Sequence, residues 1–68
     1  MSPGSAGIVG LIGRSVTSIA PEGTVFVRGE LWRARSMIDV SRGERVRVTG
    51  VEGVTLAVEA EKNGTVMR

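Results

Sequence analysis

Few side chains of this 68-residue sequence could do chemistry, and arginine is the most frequent of the charged ones. The chain has no cysteine and no histidine, which excludes a disulfide framework, a Cys/His zinc site and a Ser-His or Cys-His nucleophile. Asp39 and Glu44 flank a predicted loop, but no His, Lys or metal-ligand cluster lies near them in the sequence to complete an acid-base pair. We therefore expect no catalytic residue, no cofactor, no metal and no enzyme activity.

A second group of side chains could bind a partner. It occupies the outward positions of two neighbouring predicted strands and consists of Phe26, Arg28, Leu31, Arg33 and Arg35. Arginines that contact phosphates, with a ring that stacks on a base, are the minimum set for single-stranded nucleic acid; the alternative is a protein partner. Successive bases need several rings, and of the two aromatic residues Trp32 is predicted to point inward. We favour a protein-binding surface and keep nucleic acid, bound through Phe26, Arg28, Arg33 and Arg35, as the alternative.

The charge balance also argues against nucleic acid. The sequence pI is about 10.5, yet nine Lys and Arg against seven Asp and Glu give a net charge of only +2. Eight of the nine cations are arginines and tyrosine is absent, so almost nothing titrates between neutral pH and the guanidinium groups. The high pI reflects missing buffering groups and predicts weak long-range attraction of polyanions.

The composition indicates an all-β fold with little or no helix. Ten glycines accompany twenty β-branched residues (eleven Val, five Thr and four Ile) and only three Leu. Branching at Cβ favours pleated sheet, while glycine marks turns and bulges. No stretch approaches the roughly 20 apolar residues of a membrane helix. We expect the chain itself to be soluble.

Alternating apolar and polar residues predict five short strands. Their expected ranges are 7–19, long and bent at Gly10 and Gly13, then 24–28, 31–36, 45–49 and 54–59. Strands two and three form one hairpin, and strands four and five form another after a tight connection at 50–53. The segment between the hairpins, 37–44, is predicted to be a loop whose Ile38 and Val40 plug one end of the barrel.

Five strands in so short a chain avoid exposed edges best by closing into a barrel. A five-stranded Greek-key barrel of the OB type fits the long first strand, and a small SH3-like barrel is the alternative. We expect 1–6 to be a flexible leader of the kind that cloning adds, 7–60 the barrel domain and 61–68 a flexible tail. The predicted inward side chains are Val16 or Ile19, Val25, Val27, Trp32, Ala34, Val46, Val48, Leu56 and Val58.

The order of particular residues resembles a known family. The pattern is Gly10-x-x-Gly13-x-Ser15-x-Thr17-x-Ile19-x-Pro21-x-Gly23, Val25-x-Val27-x-Gly29-Glu30-x-Trp32-x-Ala34-x-Ser36, Gly43-x-x-Val46-x-Val48 and Val51-x-Gly53-x-x-Leu56-x-Val58. In these positions the sequence resembles the carboxy-terminal soluble domain of NfeD-family membrane proteins.

The resemblance implies an OB barrel that follows transmembrane helices in its parent protein. It implies a membrane-associated parent, with this domain on the cytoplasmic side, and partners among stomatin-, prohibitin- or flotillin-like membrane scaffolds. Some members of the family also carry a protease domain, but none of its catalytic residues maps onto a position here. The implied function is a non-catalytic protein-protein interaction module.

Overall fold

The β-branched segments form five strands in the computed structural model, which describes residues 7–61. The strands are β1 (Ile12–Ser15), β2 (Glu22–Val27), β3 (Glu30–Arg35), β4 (Arg45–Glu52) and β5 (Thr55–Ala60). They close in the order β1-β2-β3-β5-β4, with β1 also paired to β4. The β3–β5 pair is parallel and the others are antiparallel. This confirms the all-β, five-stranded barrel of the OB type, with no helix among residues 7–61, and decides against the SH3-like alternative.

The barrel interior is filled by apolar side chains of β2, β3, β4 and β5, together with Ile8, Ile19 and Val40 from the connecting segments. Because a closed barrel of this size leaves room only for its own side chains, the core is small and continuous. The buried apolar residues are Ile8, Ile19, Val25, Val27, Ala34, Val40, Val46, Val48, Leu56 and Val58. Trp32, predicted to be inward, is half-buried, and its indole N–H donates to the backbone oxygen of Val27 at 3.3 Å. Val16, the alternative to Ile19, is exposed.

The long bent first strand was a wrong prediction at both of its ends. Residues 7–10 form a turn, because Gly10 has a φ of 95°, and this turn carries Ile8 into the core. β1 ends at Ser15, although the Val16 N–H still donates to the backbone oxygen of Thr24, and Ile19 then forms an isolated bridge with Val40. A turn therefore buries Ile8, and a bridge holds the buried Ile19.

The loop between the hairpins also differs from the prediction. Val40 enters the core, but Ile38 is 77% exposed. The hydroxyl of Ser36 donates to the backbone oxygen of Ile38 at 2.7 Å and accepts from its N–H at 3.3 Å. These bonds close a tight turn, and its Ile38 side chain lies in solvent.

The second hairpin is longer than predicted. β4 continues through Gly50 to Glu52, with a bulge between Val48 and Gly50, and the reversal falls at Gly53, whose φ is 65°. Val54, the first residue of the predicted fifth strand, is therefore in the turn and 80% exposed. The predicted leader, 1–6, and the tail beyond residue 61 lie outside the described residues.

Candidate functional site

The predicted surface residues lie on the β2–β3 hairpin, which reverses through two residues. Arg28 and Gly29 have φ values of 55° and 79°, so both occupy the left-handed region that a type I′ turn requires. The turn sets a register in which Phe26 faces Leu31 and Thr24 faces Arg33. The structure therefore brings the predicted surface residues to one hairpin, on its outer side and at its tip.

The apolar part of this surface is a directly opposed pair. Phe26 is 48% exposed and Leu31 is 64% exposed. A shift of one residue in the register of either strand would turn its apolar side chain to the inner face of the sheet. Ile12, on the neighbouring β1, is a third exposed apolar side chain on this outer side. These three residues are the apolar part of the barrel's outer face.

Two of the predicted arginines have partners within the hairpin. Arg35 Nη2 lies 3.3 Å from Glu22 Oε2, and Arg33 Nη1 lies 3.9 Å from Glu22 Oε1. All three side chains are about half exposed or more, so water screens these ion pairs and each contributes about 0 to 1 kcal/mol. The charge at this end of the hairpin is thus partly balanced.

The outer face extends beyond the hairpin, onto strands that sequence reasoning left out of the site. Arg14 of β1 is the register partner of Phe26 on one side and of Arg45 on the other. Leu31, Phe26, Arg14 and Arg45 consequently form one row across four strands. The alternation of apolar and polar residues could have shown that Arg14 and Arg45 point outward. It could not have shown that they are neighbours, because they meet only when the barrel closes and places β1 between β2 and β4.

The arginines on β1 and β4 have unlike surroundings. Arg47 Nη2 lies 3.0 Å from Glu59 Oε2, and Arg47 Nε lies 3.1 Å from Glu61 Oε1. The second contact is an ion pair but does not have hydrogen-bond geometry. Arg14 donates to the backbone oxygen of Gly43 at 2.9 Å. Within residues 7–61, no carboxylate forms an ion pair with Arg14 or Arg45.

The hydroxyl groups of the sequence pattern hold loops together. Ser15 is buried; its Oγ donates to the Ser41 backbone oxygen at 2.6 Å and accepts from the Glu44 N–H at 2.9 Å. Thr17 Oγ1 accepts from the Thr24 N–H at 3.1 Å. These hydroxyls tie loops to the barrel, as the hydroxyl of Ser36 does.

The carboxylates considered as a possible acid-base pair are both exposed. Asp39 follows the Ser36 turn, and Glu44 ends the same loop, bonded through its backbone to Ser15. Over the described range 7–61, no three acidic side chains gather as metal ligands would. No helix in that range is long and apolar enough to cross a bilayer.

Comparison with known proteins gives a family match over most of the chain. The model of the family described as NfeD-like C-terminal, partner-binding domain matches residues 5–59. The chain is also 46% identical over 61 residues to the membrane-bound protease PH1510 of Pyrococcus horikoshii. That alignment covers 87% of this chain and 14% of the protease, so the chain spans a small part of this relative.

Two solved structures have the same architecture. The C-terminal domain of stomatin operon partner protein 1510-C from Pyrococcus horikoshii superposes with a TM-score of 0.84 at 44% identity, covering 91% of this chain and 100% of that one. The soluble domain of a membrane protein implicated in regulation of membrane protease activity, from Corynebacterium glutamicum, superposes with a TM-score of 0.79 at 31% identity. It covers 85% of this chain and 98% of that one.

Proposed function

Because the chain belongs to the family of NfeD-like C-terminal, partner-binding domains, we propose that it binds its partner through the outer side of the β2–β3 hairpin. The proposed surface consists of Phe26, Arg28, Leu31, Arg33 and Arg35. The observation that carries the proposal is the opposed pair Phe26 and Leu31, both exposed on one side of a rigid hairpin. Large apolar side chains surrounded by arginines are typical of the centre of a protein interface.

The family description makes the domain a protein-interaction module and gives no support to the nucleic-acid alternative. The geometry agrees with that choice. Phe26 is the single aromatic ring on the outer face of the described barrel, because Trp32 is half-buried with its indole bonded to Val27. One ring cannot stack successive bases. Arg33 and Arg35 are also partly neutralised by Glu22.

The backbone of Arg28 supports a role for this residue in recognition. A φ of 55° is unfavourable for a residue with a long side chain, and Asn or Gly is preferred at the first position of a type I′ turn. Residues held in unfavourable backbone conformations occur most often at functional sites. We therefore include the arginine at the hairpin tip in the proposed surface.

A stomatin-like membrane scaffold is the partner that we propose. The support is the name of a similar solved domain, which comes from a stomatin operon partner protein. Prohibitin- and flotillin-like scaffolds are the related candidates. We further propose that the domain is non-catalytic and acts within a membrane-associated parent, on the cytoplasmic side. Proteolytic activity is a property of the named relative, of which this chain spans 14%.

Binding of the purified domain to the soluble part of a stomatin-like protein tests this function. The double variant Phe26→Ala, Leu31→Ala should weaken binding at least about tenfold, because it removes the apolar centre of the interface. A matched control is Met37→Ala, Ile38→Ala, which truncates two other exposed apolar side chains, both in the turn after β3, at the opposite end of that strand from Leu31. Equal affinity for both double variants would contradict the assigned surface.

The partner's identity is tested in the membrane. The membrane-anchored parent, with and without this domain, is recovered from membranes and the co-purified scaffold protein is quantified. Recovery should fall when the domain is deleted. Equal recovery in both cases would remove the domain from the interaction. Protease protection of an epitope tag on the domain, in sealed vesicles of known orientation, tests the cytoplasmic side.

A further inference from the structure

The outer face carries two arginines in an arrangement that is unfavourable for the isolated domain. Arg14 and Arg45 are direct register partners on β1 and β4, and both side chains are exposed on the same side of the sheet. Directly opposed residues have Cβ atoms about 5 Å apart, and like charges at that spacing repel each other. A carboxylate between the two members would relieve this repulsion.

The other arginines of the neighbouring strands do have such carboxylates. Arg33 and Arg35 share Glu22, and Arg47, two residues from Arg45 on the same strand, contacts Glu59 and Glu61. Within residues 7–61, by contrast, Arg14 reaches only the backbone oxygen of Gly43 and Arg45 forms no side-chain hydrogen bond or ion pair. Arg14 and Arg45, which face each other, are therefore the strand arginines of the described range 7–61 that form no ion pair with a carboxylate.

The arginine pair lies beside the apolar part of the face. Phe26 is the register partner of Arg14 on the side away from Arg45, and Leu31 follows Phe26 in the same row. With neighbouring strands about 4.8 Å apart, the middle of the arginine pair lies about 10 Å from the middle of the apolar pair. The row therefore has an apolar half and a cationic half of similar size.

We propose that the row Leu31, Phe26, Arg14 and Arg45 binds an acidic-apolar segment of the partner. An apolar side chain of that segment packs on Phe26 and Leu31, while a carboxylate about 10 Å away lies between Arg14 and Arg45. This inference rests on the proposed protein-binding function and adds the chemistry of the partner. The arginine pair supplies the complementary charge, and a carboxylate relieves the repulsion that the isolated domain leaves in place.

The main test measures affinity for the stomatin-like partner at 50, 150 and 500 mM NaCl. Arg45→Glu should weaken binding about tenfold at 50 mM, and the loss should shrink at 500 mM because salt screens the contact. Arg42→Glu makes the same charge change in the exposed loop before β4, at a position outside the row, and should weaken binding much less than Arg45→Glu does. Thermal unfolding of both variants establishes that they are folded.

The inference and the proposed function fail in different ways. Suppose that the double variant Phe26→Ala, Leu31→Ala abolishes binding. If Arg45→Glu and the double variant Arg14→Gln, Arg45→Gln then bind like the wild type at every salt concentration, the proposed acidic segment of the partner is wrong, and the protein-binding function stands. If none of these variants changes affinity, the assigned surface itself is wrong.

Synthetic probes test the chemistry without the natural partner. A 12-residue peptide of alternating Glu and Leu should shift the backbone amide NMR signals of the whole row, and the same peptide with Gln for Glu should shift those of Arg14 and Arg45 much less. Equal shifts from both peptides would overturn the inference. So would tight binding of a single-stranded oligonucleotide that is lost in Arg45→Glu, because it would assign the arginine pair to phosphate.

Discussion

Polar residues have opposite roles in two regions of the barrel. One region is the end at which hydroxyl groups hold the loops, and the other is the outer face. At the hydroxyl-held end, formed by loops 16–21 and 36–44, Ser15, Thr17 and Ser36 bond to backbone groups of these loops and of the adjoining strand ends. On the outer face, Arg14 and Arg45 face each other and Phe26 and Leu31 are exposed. The first region stabilises the fold, whereas the second exposes apolar side chains and places like charges opposite each other.

The residues that carry the family resemblance are core side chains, turn glycines and the loop-holding hydroxyls. Ser15, Thr17 and Ser36 are named positions of the pattern, as are the glycines that turns or close contacts require. Every residue of the proposed surface, and both members of the arginine pair, falls on a position that the pattern leaves open. The pattern therefore identifies the barrel and says little about what the barrel binds.

Substitution of Gly23 should break the hydroxyl-held end most severely. A Cβ at this position would overlap the backbone oxygen of Ser18 and the hydroxyl of Thr17, so Gly23→Ala should lower the free energy of unfolding by about 3 kcal/mol or more. Gly50→Ala is the matched control, also in a strand, where the new Cβ would meet only the Cβ of Ala57 at 3.9 Å. It should change stability by less than about 0.5 kcal/mol. Urea denaturation of the two variants measures the difference, and similar losses would contradict the close-contact explanation.

Removal of the Ser15 hydroxyl should have the next largest effect. Ser15→Ala leaves the Glu44 N–H and the Ser41 backbone oxygen without their buried partner, which costs about 2 kcal/mol. Ser18→Ala deletes an exposed hydroxyl from a neighbouring loop and should cost less than about 0.5 kcal/mol. Chemical denaturation again gives the comparison. A loss of affinity without a loss of stability in Ser15→Ala would show that this end of the barrel contributes to binding.

Sequence reasoning succeeded where alternation alone decides the outcome. It predicted the exposed side of β2 and β3, including Phe26 and Leu31, because these strands have a strict period of two. It failed where a local bond or a left-handed residue redirects the chain: Gly10 buries Ile8, and the Ser36 hydroxyl leaves Ile38 in solvent. It also missed the arginine pair, since strands one and four are far apart in sequence and meet only when the barrel closes.

The hairpin tip offers a prediction in which stability should rise. Arg28→Asn should increase the free energy of unfolding by about 0.5 kcal/mol, because Asn adopts a positive φ more readily than Arg does. Arg28→Ala also removes the guanidinium but does not ease the backbone, and it should give no such gain. Denaturation measures stability and the partner-binding assay measures function. If Arg28→Asn is more stable yet binds less well, the arginine is kept for recognition; unchanged binding would place the tip outside the surface.

The smallest expected effect distinguishes the two arginines of β4. Arg45→Thr and Arg47→Thr make the same substitution on the same side of one strand, so the change in β propensity is nearly the same in both. Arg45→Thr relieves repulsion with Arg14, while Arg47→Thr removes the contacts with Glu59 and Glu61. At low salt Arg45→Thr should therefore be the more stable variant, by about 0.5 kcal/mol, given the modest energies of exposed charge pairs. In 1 M NaCl, where the screening length falls to about 3 Å, the difference should nearly vanish. If this difference is absent at low salt, or persists at high salt, the opposed arginines do not repel each other in the free domain. The case for a carboxylate between them would then rest on the binding measurements alone.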